Sequence, residues 1–185
     1  MLFPYDADIV IGIQQLTAQS PWGIAIIVFL ARWFIFFDLA LGAALLASGK
    51  KRLRHGVLEA SWSAGLALLL TSLLSHTINR PRPFLVLTDV HLLIPPPFNM
   101  SFPSGHTATA VAIAAALAYA DLPVGTAAFM LAFLVAFGRL ASGVHYLTDI
   151  FGGLLVGLVS FGIVRLIHHG LARRDVASSA AKHRP

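Results

Sequence analysis

The sequence contains no cysteine and few charged residues. None of its 185 residues is Cys, which excludes disulfide bonds and thiolate metal sites and leaves the redox compartment undetermined. Asp, Glu, Lys and Arg together make up only 11% of the chain, whereas apolar residues make up 57%. A soluble domain of this size needs more charge to cover its surface, so the composition indicates a membrane protein.

Long apolar runs account for most of the chain, and several reach the ~20 residues that a helix needs to cross a bilayer. We predict an all-α, polytopic transmembrane bundle that forms a single domain over 1–185. The five predicted spans cover about 24–47, 56–78, 104–120, 124–141 and 148–169. The mildly amphipathic segment 1–20 is predicted to contain an interfacial helix, and 171–185 to form a basic cytoplasmic tail.

The basic residues are distributed unevenly between the two sides that five spans define. The loop between the first two spans and the C-terminal region contain most of them: Lys50, Lys51, Arg52, Arg54, Arg165, Arg173, Arg174, Lys182 and Arg184. By the positive-inside rule this side is cytoplasmic, and the net charge of +5 reports topology rather than a nucleic-acid partner. We therefore expect the opposite face to be extracytoplasmic.

Three arginines lie on the outer side against this bias, and two of them follow the second predicted span. The segment Asn79–Phe84 places Arg80 and Arg82 between prolines, which stop the helix and hold the chain extended. Arginine offers a planar fork of donors that suits phosphate oxygens. Taken alone, the segment is equally consistent with an interfacial anchor.

A second segment, Ser101–His106, opens the third predicted span. A Pro-Ser-Gly turn at a helix start presents free backbone N–H groups and the positive end of the helix dipole, which together bind anions. Gly105 allows a ligand to approach the backbone, and His106 can supply or accept a proton. Simple helix capping by Ser101 or Ser104, with a surface histidine, is the alternative for this segment alone.

The third segment, Gly138–Asp149, contains Arg139, His145 and Asp149. If the chain is helical from His145, Asp149 lies one turn away and can accept the Nδ1 proton, which leaves Nε2 as a nucleophile. Capping of the last span explains this pair equally simply. The topology nevertheless brings all three segments to one membrane face, where they supply phosphate donors, a nucleophile with its orienting acid, and a second histidine.

Together the segments resemble, in order and spacing, the three motifs of the type-2 phosphatidic acid phosphatase superfamily: Lys-x6-Arg-Pro, Pro-Ser-Gly-His and Ser-Arg-x5-His-x3-Asp. This chain has Ser75 in place of the lysine and Gly138 in place of the serine. The resemblance implies catalytic roles for His145, His106 and Asp149 and a phosphohistidine intermediate, with no metal and no cofactor. It implies a phosphate-binding group that contains Arg82, Arg139, Ser104 and Gly105. The contact of the absent lysine is either missing or supplied by Arg80 or His76.

The stretch around Pro-Arg-Pro-Phe and Ser-Phe-Pro-Ser is most similar to the bacitracin-resistance branch, which also lacks the lysine, although many of its members have Asp where Gly105 stands. That resemblance implies hydrolysis of undecaprenyl diphosphate to undecaprenyl phosphate on the outer face of a bacterial inner membrane. A lipid whose headgroup is in water and whose tail is in the bilayer suits such a site. Phosphatidylglycerophosphate, phosphatidate and a lipid A phosphate suit it as well.

Other chemistries are less consistent with the sequence. A two-metal hydrolase needs several carboxylates, and the outer loops offer only Asp89 and Asp149. Vanadate-dependent haloperoxidases share the three motifs but are mostly soluble. A lipid or phosphate transporter would use Arg32, Asp38, Glu59 and His76 as a polar pathway. Pairing between helices, or a position close to a membrane interface, is the simpler explanation of these residues. Gly153 and Gly157 are expected to allow close helix packing.

Overall fold

Every regular element in the described part of the chain, residues 5–182, is an α-helix in the computed structural model. The helices are α1 (Asp6–Thr17), α2 (Pro21–Ala47), α3 (Lys51–Ile78), the single turn α4 (Pro83–Val86), α5 (Gly105–Ala120), α6 (Leu122–Ala141) and α7 (Leu147–Lys182). The ends of the predicted N-terminal segment and basic tail, residues 1–4 and 183–185 with Arg184, lie outside the described residues.

Three helical stretches are long and apolar enough to cross a membrane: Lys51–Val86, Leu122–Ala141 and Leu147–Leu171. The two halves of α2, Pro21–Trp33 and Phe36–Ala47, form a fourth span if the 50° bend between them is accepted within one span. The α5 helix is apolar but has only 16 residues, fewer than the ~20 of an ordinary span. The predicted all-helical membrane bundle is confirmed, with three or four spans by length where we expected five.

The α5 helix lies at the centre of the bundle and packs against α3, α6 and α7. Its buried residues are mostly alanines, which occur on all sides of the helix. A helix that is apolar all round is buried, and small side chains allow its neighbours to approach closely. The small side chains of α5 therefore allow three neighbouring helices to pack closely around it.

Glycines provide the closest approaches between helices. A Cβ atom on Gly153 of α7 would lie 2.6 Å from the Ser104 carbonyl oxygen, and one on Gly157 would lie 2.5 Å from the Ala108 carbonyl oxygen. The predicted packing role of these two glycines is confirmed. A Cβ atom on Gly138 of α6 would lie 2.8 Å from the backbone nitrogen of Ala31 in α2, so the residue that replaces the motif serine allows α2 to approach.

The N-terminal helix α1 packs on the bundle through one stripe of side chains. Its buried residues, Asp6, Val10 and Gln14, are spaced four apart and therefore share one face, which lies against α6 and α7. The Gln14 side chain donates to the carbonyl oxygens of His91 at 2.7 Å and Ala141 at 3.1 Å, and accepts from the His91 N–H at 2.9 Å. The predicted interfacial helix is thus an integral part of the fold.

The α7 helix is longer than we expected. The last span was predicted to end near residue 169, with a tail after it, but the helix continues without a break as far as Lys182. At the other end of α7, its N-terminus meets the N-terminus of α5 and the C-termini of α3 and α6. The loop with Lys50 lies at the opposite end of the bundle, as expected from the alternation of the helices.

We predict that Gly157→Ala destabilises the protein by about 1–3 kcal/mol, because the added methyl group overlaps the backbone of α5. Thermal unfolding of the purified protein in detergent measures this loss. Gly162→Ala in the same helix is the matched control, since its Cβ atom has no neighbour within 4 Å and alanine favours the helix. Equal melting temperatures for the two variants would contradict the packing role of Gly157.

Candidate active site

The three sequence segments converge on one cavity of about 350 Å³ at the end of the bundle where α5 and α7 begin. Six of its lining residues can hold or react with a phosphate group: Arg82, Asn99, Gly105, His106, Arg139 and His145. Apolar side chains such as Leu68 of α3 complete the wall. The cavity thus combines basic and hydrogen-bonding groups with an apolar side.

His145 lies in the turn before α7 and is only 2% exposed. Its Nδ1 atom lies 2.8 Å from the carbonyl oxygen of Ser101 and 3.5 Å from the Asp149 carboxylate. A carbonyl oxygen only accepts, so Nδ1 carries the proton and Nε2 has the free lone pair. We predicted Asp149 as the acceptor of this proton, and the structure places Ser101 nearer because α7 begins two residues after His145.

The surroundings of His145 keep its imidazole neutral. Burial is the largest effect, and together with the nearby charges of Arg82 and Arg139 it lowers the pKa of His145 to about 4, although Asp149 acts in the opposite direction. At pH 7 the ring is therefore unprotonated. A neutral imidazole with its proton on Nδ1 is the form that can act as a nucleophile through Nε2.

Asp149 is fully buried, and several donors hold its carboxylate in place. Arg80 Nη1 donates to one oxygen at 2.7 Å, and the backbone N–H of Tyr146 donates to the other at 2.8 Å. The Ser101 hydroxyl donates to that second oxygen as well. Buried carboxylates are stable when paired and hydrogen-bonded in this way, so Asp149 is a fixed negative charge beside His145.

Arg82 connects the nucleophile to the loop above it. Its guanidinium donates to the Val144 carbonyl oxygen at 2.7 Å and to the Asn99 side-chain oxygen at 2.7 Å, and its Nη1 lies 3.3 Å from His145 Nε2. Because Asn99 accepts through its oxygen, its amide N–H groups remain available as donors to the cavity. Asn99 carried no motif signal in the sequence.

Arg139 is 5% exposed and largely unbonded. Its Nη1 donates only to the Ala31 carbonyl oxygen, at 3.5 Å, and its buried Nε has no partner within residues 5–182. An unpaired buried charge is costly, and an anion in the cavity would offset that cost. Arg139 is thus the group in the cavity whose donors most need an acceptor.

The three residues at the start of α5, Ser104, Gly105 and His106, have different positions relative to the cavity. Ser104 is buried as the N-cap: its hydroxyl interacts with Thr107, and its N–H donates to the Asp149 carbonyl oxygen at 3.0 Å. Ser104 therefore joins α5 to α7 and does not line the cavity. Gly105 and His106 do line it, and across the described residues their backbone N–H groups have no hydrogen-bond partner.

Arg80 does not lie in the cavity, and the geometry does not support the phosphate contact that we predicted for it. Its guanidinium donates to Asp6 at 2.8 Å, to Asp149 at 2.7 Å and to Thr148 at 2.7 Å, and it stacks on Tyr146. These contacts hold the guanidinium against Asp6 and Asp149 outside the cavity, so Arg80 positions Asp149. His76 is also outside the cavity, where it is exposed and bonded to its own helix.

Asp6 of α1 is a member of this network that the motifs did not predict. It is 1% exposed, accepts from the Thr148 N–H at 3.1 Å and pairs with Arg80. The N-terminal helix is therefore linked through Arg80 to Asp149. The sequence feature that could have indicated Asp6 is its spacing of four from Val10 and of eight from Gln14, which places its carboxylate on the buried face of a helix.

Comparison with known proteins gives the following similarities. The PAP2 superfamily profile matches residues 56–173, a range that includes all six phosphate-competent lining residues. The chain is 32% identical over 135 residues to undecaprenyl-diphosphatase BcrC of Bacillus subtilis (strain 168), which covers 73% of this chain and 69% of that protein.

Two crystal structures have a similar fold. LpxE of Aquifex aeolicus superposes with a TM-score of 0.70 at 29% identity, over 88% of this chain and 95% of that one. A transmembrane PAP2-type phosphatidylglycerolphosphate phosphatase of Bacillus subtilis superposes with a TM-score of 0.66 at 23% identity, over 91% and 88% of the two chains. The second similarity concerns the fold alone.

We predict that Asp6→Asn lowers the free energy of unfolding by about 1–3 kcal/mol, because Arg80 then loses one of its two buried carboxylate partners. Thermal unfolding in detergent measures the change. Asp8→Asn removes the same charge from an exposed position of the same helix and should leave the melting temperature unaltered. Equal melting temperatures for both variants would show that the Asp6–Arg80 pair does not hold α1 in place.

Proposed function

This chain belongs to the PAP2 superfamily and is a membrane-embedded lipid phosphatase, and we propose that its substrate is a polyprenyl diphosphate, with undecaprenyl diphosphate converted to undecaprenyl phosphate. The observation that carries the proposal is the buried, under-bonded Arg139 beside a neutral His145 in one cavity. The similarity to a protein named as an undecaprenyl-diphosphatase supports this choice of substrate.

In the proposed first step, His145 Nε2 attacks the terminal phosphorus in line. A P–N bond forms, and the bond from phosphorus to the bridging oxygen breaks with its electron pair on that oxygen, which then receives the proton of His106. Arg82, Arg139 and the N–H groups of Gly105 and His106 stabilise the charge that develops on the equatorial oxygens. The positive charge on the His145 ring is stabilised by Asp149 and by the Ser101 carbonyl oxygen.

In the second step, water attacks the phosphohistidine. His106 accepts the proton of the water, a P–O bond forms, and the P–N bond returns its electrons to His145. Inorganic phosphate leaves and the neutral imidazole is restored. His106 lines the same cavity as His145, which is the position that this proton transfer requires.

The proton on His106 depends on the ligand. Burial, and then the charges of the two guanidinium groups in the same cavity, oppose the protonation of His106 when no anion is bound. A bound diphosphate supplies several negative charges that reverse this field. We therefore propose that His106 becomes protonated when the substrate binds.

We propose that the reaction is independent of metal ions. The residues that line the cavity include two arginines and no carboxylate, so its donor set suits an anion better than Mg²⁺ or Ca²⁺. The guanidiniums would then neutralise the charge that metal ions neutralise in two-metal phosphatases.

We also propose that the site faces the outside of a bacterial inner membrane. The basic loop with Lys50 and Arg52 lies at the opposite end of the bundle, and a basic loop favours the cytoplasm. A lipid diphosphate in the outer leaflet would reach the cavity with its tail still in the bilayer.

The residues that a transporter would use do not form one pathway. Glu59 of α3 pairs with Arg165 of α7 at 3.7 Å, whereas neither carboxylate oxygen of Asp38 has a partner in the described structure. Asp38 is buried on another side of α3, in a cavity between α2, α3 and α5. These positions favour an enzyme whose chemistry is confined to one end of the bundle.

We predict that His145→Ala reduces phosphate release from undecaprenyl diphosphate at least about a thousandfold, because the nucleophile is lost. The assay uses purified protein in detergent with EDTA present throughout, and it includes phosphatidylglycerophosphate, phosphatidate and a lipid A phosphate. His76→Ala is the matched control, since His76 lies outside the cavity. Near-normal release by His145→Ala, loss of wild-type release on chelation, or a preference for another lipid would each reject the corresponding part of the proposal.

The acid limb of the pH profile provides an independent prediction. His145 must be unprotonated to attack, so kcat/KM falls as the pH decreases through the pKa of His145. Because burial and the two arginines lower that pKa to about 4, we expect full activity between pH 5 and 6, about one unit above it, where an ordinary histidine would already be mostly protonated. An acid limb near pH 6.5 in a kcat/KM profile would contradict this assignment.

A further inference from the structure

A second cavity, of about 390 Å³, lies beside the first and shares two of its lining residues. His106 and Arg139 line both cavities, whereas His145 and Arg82 line only the first. The second cavity adds four residues of α2, namely Ala31, Arg32, Trp33 and Phe36. His106 and Arg139 thus stand between the nucleophile and a pocket that the three motifs do not account for.

Among the residues that the structure describes, Arg32 is the only charged one that lines the second cavity and not the first. Within residues 5–182 no carboxylate pairs with it, and the chain around it is apolar. Arginine in such a helix is costly unless it serves a ligand or a partner. The tight approach of α2 to Gly138 of α6 brings this part of α2 next to Arg139.

The direction of the reaction assigns a purpose to this cavity. In an in-line displacement the leaving group departs on the side of the phosphorus opposite the nucleophile. His145 defines the side of attack, and His106 is the residue placed to meet the departing oxygen. Since His106 also lines the second cavity, the leaving group lies in or beside that cavity.

We propose that Arg32 binds the proximal phosphate of a polyprenyl diphosphate, and that the second cavity is the leaving-group subsite that selects diphosphates over monophosphates. This inference rests on the proposed function. The exposed aromatic side chains of Trp33 and Phe36 would contact the first units of the prenyl chain as it enters the bilayer.

Diphosphates and monophosphate esters have different leaving groups, so we expect Arg32 to matter more for diphosphates and His106 to matter more for monophosphates. In a diphosphate, the bond between the terminal phosphorus and the bridging oxygen breaks, and the electron pair leaves on a phosphate whose pKa is about 6. That group needs charge neutralisation, which Arg32 supplies, more than it needs a proton. In a monophosphate ester the leaving group is an alkoxide, comparable to hydroxide from water with a pKa of about 16, and it needs the proton of His106.

The test compares Arg32→Gln with wild type on farnesyl diphosphate and farnesyl phosphate, which have the same tail and differ by one phosphate. Loss of one charge-assisted contact should reduce kcat/KM for the diphosphate about 10–100-fold. The decisive quantity is the ratio of kcat/KM for the diphosphate to that for the monophosphate, which should fall at least tenfold. Arg52→Gln, at the opposite end of the bundle, should leave this ratio unchanged.

Two further variants distinguish a change in substrate preference from a loss of folded protein. Arg32→Lys keeps the charge but loses the planar fork, and its ratio should fall at least threefold, without approaching that of Arg32→Gln. His106→Ala should shift the ratio in the opposite direction, because monophosphate cleavage suffers more. An unchanged ratio in both Arg32 variants would overturn the subsite, whatever their stability. A wild-type protein that leaves the diphosphate intact would instead overturn the proposed function.

Discussion

The site depends on one buried carboxylate, that of Asp149, which is bonded to every segment around it. Its oxygens accept from Arg80 after α3, from Ser101 before α5 and from the Tyr146 N–H before α7. The Asp149 carbonyl oxygen accepts the Ser104 N–H, which aligns the start of α5 with that of α7. A buried charge is stable only while these donors remain in place, so the carboxylate holds three distant segments together.

The cavity beside this carboxylate has the opposite character. Arg139 keeps a buried Nε without a partner, and Arg82 lies against the nucleophilic nitrogen of His145. Without an anion, the two guanidiniums have no carboxylate within hydrogen-bond reach in the described structure. A phosphate group would relieve that imbalance, and its binding would couple the charge of the site to the protonation of His106. The substrate would then bind and His106 would become protonated at the same time.

Two features outside the motifs complete the site. The α1 helix contributes Asp6, which pairs with Arg80 and thereby supports Asp149 from the far side of the cavity. Gly138 allows α2 to lie against α6, which places Arg32 beside Arg139. Glycine in place of the family serine therefore has a structural reason, since a side chain at position 138 would meet the backbone of α2. Through these two features, the N-terminal helices α1 and α2 contribute residues to the site that the three motifs form.

The sequence by itself determined the helical membrane fold and the convergence of the three segments, because apolar runs and motif spacing depend on local periodicity and on the alternation of spans. It also indicated His106, Arg139 and His145 as cavity residues. Only the tertiary structure decided that Arg80 faces Asp6 and Asp149, that Ser104 is buried, and that Ser101 is the nearer acceptor of the His145 proton. Those outcomes depend on side-chain directions and on contacts between segments far apart in the chain, which spacing along one segment does not contain.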